Sequence, residues 1–322
     1  MKEIVVISGK GGTGKTSLVA SFAAMAKGAV FADCDVDAAD LHLILSPDIQ
    51  RRSEFRSGHE AVIRQADCIR CGACLDHCRF NAVKKNRHQA QEAEFSITPT
   101  PSRGMSVEGA VPAATTSFKE AEFSIDPLSC EGCGVCVWFC PAKAIDFPER
   151  ACGEWFVSQT RFGPMVYARL DIAAENSGKL VTVVRKEARR IALETGRDLI
   201  LVDGPPGIGC PAIASISGAS LVVVVTEPTL SGEHDLDRVL SLTRHFGVQA
   251  AVCVNKWDLN PDLADRIERM ALSFGGQVFE RISYDRDLTA ALINGKAVVE
   301  YSDGQAAQDI RKGWQTLCHI IA

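Results

Sequence analysis

Short, nearly unbroken apolar runs recur along this chain, separated by stretches in which apolar positions return every three or four residues. The runs are residues 2–8, Ala29–Ala32, Leu180–Val184, Asp198–Asp203, Leu221–Thr226 and Ala250–Val254. Strict alternation would predict strands with one wet face; runs without it predict strands covered on both faces, as in a parallel sheet. Helices are expected from about Thr16 to Lys27, from Lys186 to Thr195, over 231–246 and 260–273, and from Gly304 to Ile321. Strands alternating with helices predict an α/β fold with a doubly wound, mostly parallel sheet. The last helix carries Ile310, Trp314, Leu317 and Ile321 on related faces, which predicts packing against the body rather than membrane contact.

This rhythm fades past Ser46-Pro47, where Arg51 to Ser57 is polar and charged, and it resumes after Pro148. The α/β domain is therefore expected to be discontinuous, 1–57 with 148–322, and to carry 58–147 as an insertion. The insertion is internally repeated: Cys78-Arg79-Phe80-Asn81-Ala82-Val83 parallels Cys140-Pro141-Ala142-Lys143-Ala144-Ile145. Between the halves, residues 84–122 are rich in Ala, Glu, Ser, Thr and Pro and lack periodicity, the pattern of a flexible surface excursion. Two Glu-Phe-Ser-Ile stretches, at Glu94–Ile97 and Glu122–Ile125, read equally well as short strands or as a sequence echo.

With 322 residues there is room for about two domains. An apolar share of 46% and a charged share of 23% are ordinary for a globular protein. The net charge of -5 argues against a general nucleic-acid binder. No stretch approaches the roughly 18 apolar residues of a spanning helix. The start, Met1 to Ser8, reads as a strand and not as a signal peptide, so a cytoplasmic protein is expected.

Candidate chemistry begins where the first strand ends. Gly9-Lys10-Gly11-Gly12-Thr13-Gly14-Lys15-Thr16 satisfies G-x4-G-K-[ST] between a strand and a helix. Glycines let successive backbone N–H groups turn toward phosphate oxygens, and the helix start adds a favourable dipole. ATP is the expected ligand: Lys15 should reach the β- and γ-phosphates and Thr16 should ligate Mg²⁺. Asp203 closes an apolar strand and is the expected second support for Mg²⁺.

Thirteen cysteines are present. Cys68, Cys71, Cys74 and Cys78 follow C-x2-C-x2-C-x3-C, and Cys130, Cys133, Cys136 and Cys140 repeat it. Four thiolates also suit zinc, and a disulfide framework is conceivable, but two copies of this tight spacing point to two [4Fe–4S] clusters. In two-cluster ferredoxins the remote cysteine of each motif serves the other cluster, which would group Cys68, Cys71 and Cys74 with Cys140, and Cys130, Cys133 and Cys136 with Cys78. Arg79 stands where the second motif has Pro141.

Lys10, near the start of the phosphate loop, resembles the signature lysine of the MinD/ParA/Mrp superfamily of deviant Walker-A ATPases, to which nitrogenase iron protein is related. The resemblance implies a P-loop α/β sheet, ATP-dependent homodimerisation, and a Lys10 that reaches the partner's phosphates. It makes Asp33-Cys34-Asp35-Val36-Asp37 a switch I region, with Asp35 orienting water and Asp33 near Mg²⁺. Asp203-Gly204-Pro205-Pro206-Gly207-Ile208-Gly209 is similar to switch II, and Asn255-Lys256 to the adenine-contacting position. The subgroup with an inserted bacterial-ferredoxin-like α+β domain is matched at Gly153-Glu154-Trp155 and Ser177-Gly178-Lys179-Leu180-Val181. It implies a nucleotide-gated dimer passing electrons through the clusters, with a protein electron donor and acceptor. One alternative is an iron–sulfur assembly or carrier ATPase with a cluster recipient as partner; the absence of C-x-x-C from 148–322 counts against it. The other is a non-enzymatic, redox-sensing positioning or regulatory protein. Cys210, beyond the second switch, resembles a bridging cysteine of nitrogenase iron protein, although an ordinary thiol is the simpler reading.

Overall fold

The computed structural model describes residues 1–86, 122–171 and 177–321. The chain divides into two units, 1–57 with 151–322 and 58–150. The expected excursion over 84–122 and the stretch Glu94–Ile97 lie largely or wholly outside the described residues.

The first unit opens with β1 (Lys2–Ser8), α1 (Lys15–Met25), β2 (Ala29–Asp33), α2 (Leu41–Leu45) and β3 (Asp48–His59), the last running just past the unit boundary. The second unit holds β4 (Val62–Ile63), α3 (Ala73–His77), β5 (Val83–Asn86), β6 (Glu122–Ile125), α4 (Val135–Trp138) and β7 (Ile145–Asp146). The chain returns through β8 (Glu149–Gln159), β9 (Pro164–Leu170), α5 (Ser177–Glu194), β10 (Leu199–Pro206), α6 (Cys210–Ile216), β11 (Leu221–Thr226) and α7 (Leu230–His245). It ends with β12 (Ala250–Asn255), α8 (Pro261–Ser273), β13 (Gln277–Ile282), α9 (Asp287–Ile293), α10 (Val298–Tyr301) and α11 (Gln305–Ile321).

Among the described residues nine strands form one sheet, in the order β13-β12-β11-β1-β10-β2-β9-β8-β3. Pairing is parallel from β13 through β9, and β8 joins β9 antiparallel. The central strands β1, β2, β10, β11 and β12 are buried on both faces, which explains their unbroken apolar runs. Ile4, Val6, Val223 and Phe31 point into one core with Leu18, Phe22, Ile310 and Leu317. Their neighbours Val5, Ile7, Val222 and Val30 point into the opposite core with Leu180, Val184, Leu236 and Ile267. Successive side chains alternate faces, so a strand with two covered faces needs an apolar residue at every position. The last helix packs on the body, its Trp314 ring 5.1 Å from that of Phe22.

Two local expectations change. Leu180–Val184 belongs to α5: Leu180, Val184, Ala188 and Ala192 are all buried at four-residue spacing, so the helical period outweighs the short apolar run. Residues 51–57, where the chain crosses out of the first unit, lie within β3, whose strand pattern is not visible in the sequence. This is the last strand of the sheet, and its mostly exposed, charged residues hide the strand pattern.

In the second unit, β4 pairs with β7 and β5 with β6, both antiparallel, so Glu122–Ile125 is a strand. Ala61, Cys74, Val83, Phe123 and Ile145 form its small core. The expectation of an inserted ferredoxin-like iron–sulfur domain is corrected. Among the described residues no group of three or more Cys, His, Asp or Glu is arranged to hold a metal ion. Part of the cysteine pattern serves packing instead, Cys74 being buried among apolar neighbours as a small hydrophobe.

Candidate functional site

The sheet order brings separate stretches of sequence to one point. The chain leaves β1 and supplies β2 on one side of it and β11 to β13 on the other, so the end of β1 is a topological switch point, where open α/β sheets bind ligands. Val6 is in register with Asp203, and Asp203 with Asp33, so β10 and β2 carry their carboxylates to the level at which the Gly9–Gly14 loop begins. The loop is tied down at several places. Ser8 Oγ donates to the Lys10 carbonyl at 2.7 Å, Gly207 N–H donates to the Ser8 carbonyl at 2.8 Å, and Asn255 Nδ2 donates to the Thr13 carbonyl at 2.7 Å. Gly14 has φ +87° immediately before α1, a left-handed conformation that costs a glycine little.

Lys15 is 6% exposed, and its Nζ lies 2.8 Å from Asp203 Oδ1 and 3.3 Å from Asp35 Oδ2. Burial alone would lower its pKa; the attraction of Asp203 and Asp35 outweighs that and holds the ammonium well above its ordinary value. Burial, with repulsion from Asp203, pushes Asp33 far above the carboxylate range. Burial also raises Asp35, against the opposing pull of Lys15. Both Asp33 oxygens are engaged, Oδ1 accepting from Asp35 N–H at 3.1 Å and Oδ2 from Leu41 N–H at 3.2 Å. Asp203 Oδ2 and Thr13 Oγ1 are buried and, among the described residues, lack a hydrogen-bond partner. An acceptor-only oxygen held unpaired close to the Lys15 ammonium fits Mg²⁺, a hard cation that takes oxygen ligands.

Lys10 sits apart from Lys15. Its Nζ lies 3.1 Å from Ser231 Oγ, 3.4 Å from Thr229 Oγ1 and 3.5 Å from Glu227 Oε2. Glu227 also receives Lys256 Nζ at 2.5 Å. Sequence reasoning attached no chemistry to Glu227, Thr229 or Ser231, because they stand more than 200 residues from Lys10 and only the adjacency of β1 and β11 joins them. Asn255, expected at the base, is 4% exposed and committed at both ends, its Nδ2 to Thr13 and its Oδ1 to the Lys256 N–H at 3.0 Å.

The cysteine motifs gather without forming a metal centre. Cys68, Cys71, Cys74 and Cys140 line one cavity of about 20 Å³, and Cys78, Cys130, Cys133 and Cys136 line another of about 20 Å³. Each is close to the space a single water needs. With no metal-holding group among the described residues, the expected pair of [4Fe–4S] clusters is overturned. The electron-transfer function, the protein electron donor and acceptor, and the cluster recipient rested on those clusters and fall with them. Among the described residues no helix is long and apolar enough to cross a membrane.

The sequence matches the CobQ/CobB/MinD/ParA nucleotide binding domain over residues 4–298. The uncharacterized protein MJ0578 of Methanocaldococcus jannaschii is 28% identical over 324 residues, covering 99% of this chain and 97% of that protein. Among solved structures, the cell division ATPase MinD of Pyrococcus furiosus superposes with a TM-score of 0.54 at 15% identity, covering 99% of each chain. The septum site-determining protein MinD of Pyrococcus horikoshii OT3, complexed with Mg-ADP, gives a TM-score of 0.53 at 17% identity, covering 100% of this chain and 98% of that one. These likenesses establish the fold, and the match over 4–298 establishes the lineage: the chain belongs to the CobQ/CobB/MinD/ParA nucleotide-binding domain family.

Proposed function

We propose that this protein is an ATPase of the MinD/ParA kind whose nucleotide state controls homodimerisation and, through it, the positioning or regulation of a partner. The observation that carries the reading is Lys15, buried at the mouth of a glycine loop and held by Asp203 and Asp35. In this reading the backbone of Gly9, Gly11, Gly12, Thr13 and Gly14 cradles the phosphates. The γ-phosphate takes Lys15 from Asp35, and the freed carboxylate then orients the attacking water. Thr16 and Asp203 would hold Mg²⁺, with Asp33 bracing Asp35 and Leu41 through its two backbone contacts. Bound there, Mg²⁺ would neutralise charge on the phosphate oxygens. Lys10 is held in the free chain by Glu227, Thr229 and Ser231, and in the dimer reaches the partner's nucleotide. Asn255 supports the loop from beneath while its strand end flanks the base. The Mg-ADP complex of the P. horikoshii protein of similar fold supports the nucleotide assignment.

The test pairs two variants. Mg-ATP binding is measured by calorimetry and mass by sedimentation with a slowly hydrolysed ATP analogue. Lys15→Ala is expected to abolish binding, and Lys10→Ala to retain binding while losing the analogue-dependent dimer. A wild-type protein that stays monomeric with the analogue, or a Lys15→Ala protein that binds as wild type, defeats the reading.

A further inference from the structure

Two sequence features left aside by the nucleotide site meet in one cavity. Ser177–Val181 opens α5, and Cys210 opens α6 just beyond the Gly204–Gly209 segment. They are in contact: a Cβ on Gly178 would stand 3.3 Å from Cys210 Cβ. Both border a cavity of about 920 Å³ whose wall includes Lys179, Thr182, Arg185, Arg189, Cys210 and Ser217. Among the described residues its lining contains three cations and no carboxylate.

Arg185 is the residue without an ordinary explanation. It is 6% exposed, and its Nε donates to Glu3 Oε1 at 2.6 Å while Nη1 donates to the Ala214 and Ser217 carbonyls at 2.5 and 2.9 Å. Among the described residues its buried Nη2 has no hydrogen-bond partner. Arg189 shares the same counterion, its Nε 2.7 Å from Glu3 Oε2. One carboxylate therefore answers two guanidinium groups, and Lys179, which donates to the Ser57 hydroxyl at 3.3 Å, adds a third positive charge. A buried donor left over, in a wall with excess positive charge, fits an anion. The exposed thiol of Cys210 supplies a nucleophile in the same wall.

We propose that this cavity is a modification site at which Cys210 exchanges with anionic low-molecular-weight disulfides. The anion is drawn in by Lys179, Arg185 and Arg189. The Cys210 thiolate attacks one sulfur, the disulfide's S–S bond breaks as the new Sγ–S bond forms, and the other half leaves as a thiolate. The disulfide is the only oxidant, and the thiol proton goes to water. The adduct would sit seven residues beyond Asp203, on the helix that follows the second switch.

The test compares the dianion 5,5′-dithiobis(2-nitrobenzoate) with neutral 2,2′-dithiodipyridine on the full chain. Rates at individual cysteines are read by peptide mass spectrometry and normalised to a neutral small thiol, and exposed Cys318 serves as internal reference. Focusing of charge in a cleft predicts a preference for the dianion at Cys210 of about tenfold or more over that at Cys318. The preference should shrink at about 0.5 M salt and fall several-fold in Arg189→Ala. Arg189 is 40% exposed but shares buried Glu3 with Arg185, so the variant's fold is checked by its urea midpoint, and the salt arm needs no variant. Equal preference at Cys210 and Cys318, no reaction at Cys210, or a preference that ignores both salt and Arg189→Ala would overturn the proposal.

Discussion

Replacing Gly14 by alanine tests how the phosphate loop is built. The residue has φ +87°, and a Cβ there would meet Asn255 Nδ2 at 2.5 Å. Left-handed backbone costs a non-glycine residue ~1–2 kcal/mol. Displacing Asn255, which is 4% exposed, breaks its bond to the Thr13 carbonyl and leaves buried polar atoms unpaired, for about 1–2 kcal/mol more. Gly14→Ala should therefore destabilise the nucleotide-free protein by about 3 kcal/mol. Gly12→Ala is the control for backbone alone: φ is +81° with nothing within 4 Å of the added carbon, so ~1–2 kcal/mol is expected. The decisive measurement is the cycle with Asn255→Ala. Once the amide is gone, Gly14→Ala should cost only its backbone strain, giving a coupling of ~1–2 kcal/mol. Urea unfolding followed by circular dichroism supplies the four free energies. Additivity within ~0.5 kcal/mol would refute the claim that Asn255 and the loop are mechanically joined.

Three further outcomes follow from the packing and charges. Phe22→Ala should cost about 3–5 kcal/mol, because the ring is fully buried against Phe279 and Trp314; a shift of the urea midpoint worth less than ~1 kcal/mol contradicts it. Arg185→Ala should cost about 3 kcal/mol in the same assay, since it removes one of the two partners of buried Glu3. Glu300 is half-buried, and although burial would raise its pKa, Arg161 and the Ala297 N–H hold it below the usual glutamate value. A depressed carboxylate stabilises above its unfolded pKa, and that contribution disappears as pH falls through the folded one. The stability gap between wild type and Arg161→Ala should therefore be present at neutral pH and close as pH drops below about 4.5; a gap that widens in acid would contradict the assignment.

The legible parts of this protein were those written in short contiguous stretches. The loop from Gly9 to Thr16, the carboxylate after the run ending at Asp203 and the doubly covered strands each carry their signal within about ten residues. Leu180–Val184 misled because a short apolar run has no period of its own and only the spacing on to Ala188 and Ala192 reveals a helix. β3 and β8 stayed hidden because polar and charged residues interrupt them. The contacts that organise the charges were out of reach altogether, since Lys10 meets Ser231, and Arg185 meets Glu3, only through the order of strands and helices. The cysteines teach a different lesson. Spacing grouped the thiols around two cavities, but neither the size of those cavities nor the split between buried Cys74 and exposed Cys71 is written in the intervals.

The placement of the second unit at 58–150 also bears on how such a chain can change over time. It leaves from β3 and returns into β8, which are hydrogen-bonded neighbours at the far end of the sheet from β13. Neighbouring strands stand roughly 5 Å apart, so the sheet itself holds the two ends of the inserted segment together. Doubling the length of such a segment adds only about 0.6 kcal/mol of closure entropy. Lengthening, shortening or exchanging what lies between Ser57 and Ala151 is therefore a cheap experiment for evolution, made four strands away from β1 and without redrawing the strand ends that carry Asp33 and Asp203. Relatives should accordingly differ most in this stretch while their glycine loops stay superimposable.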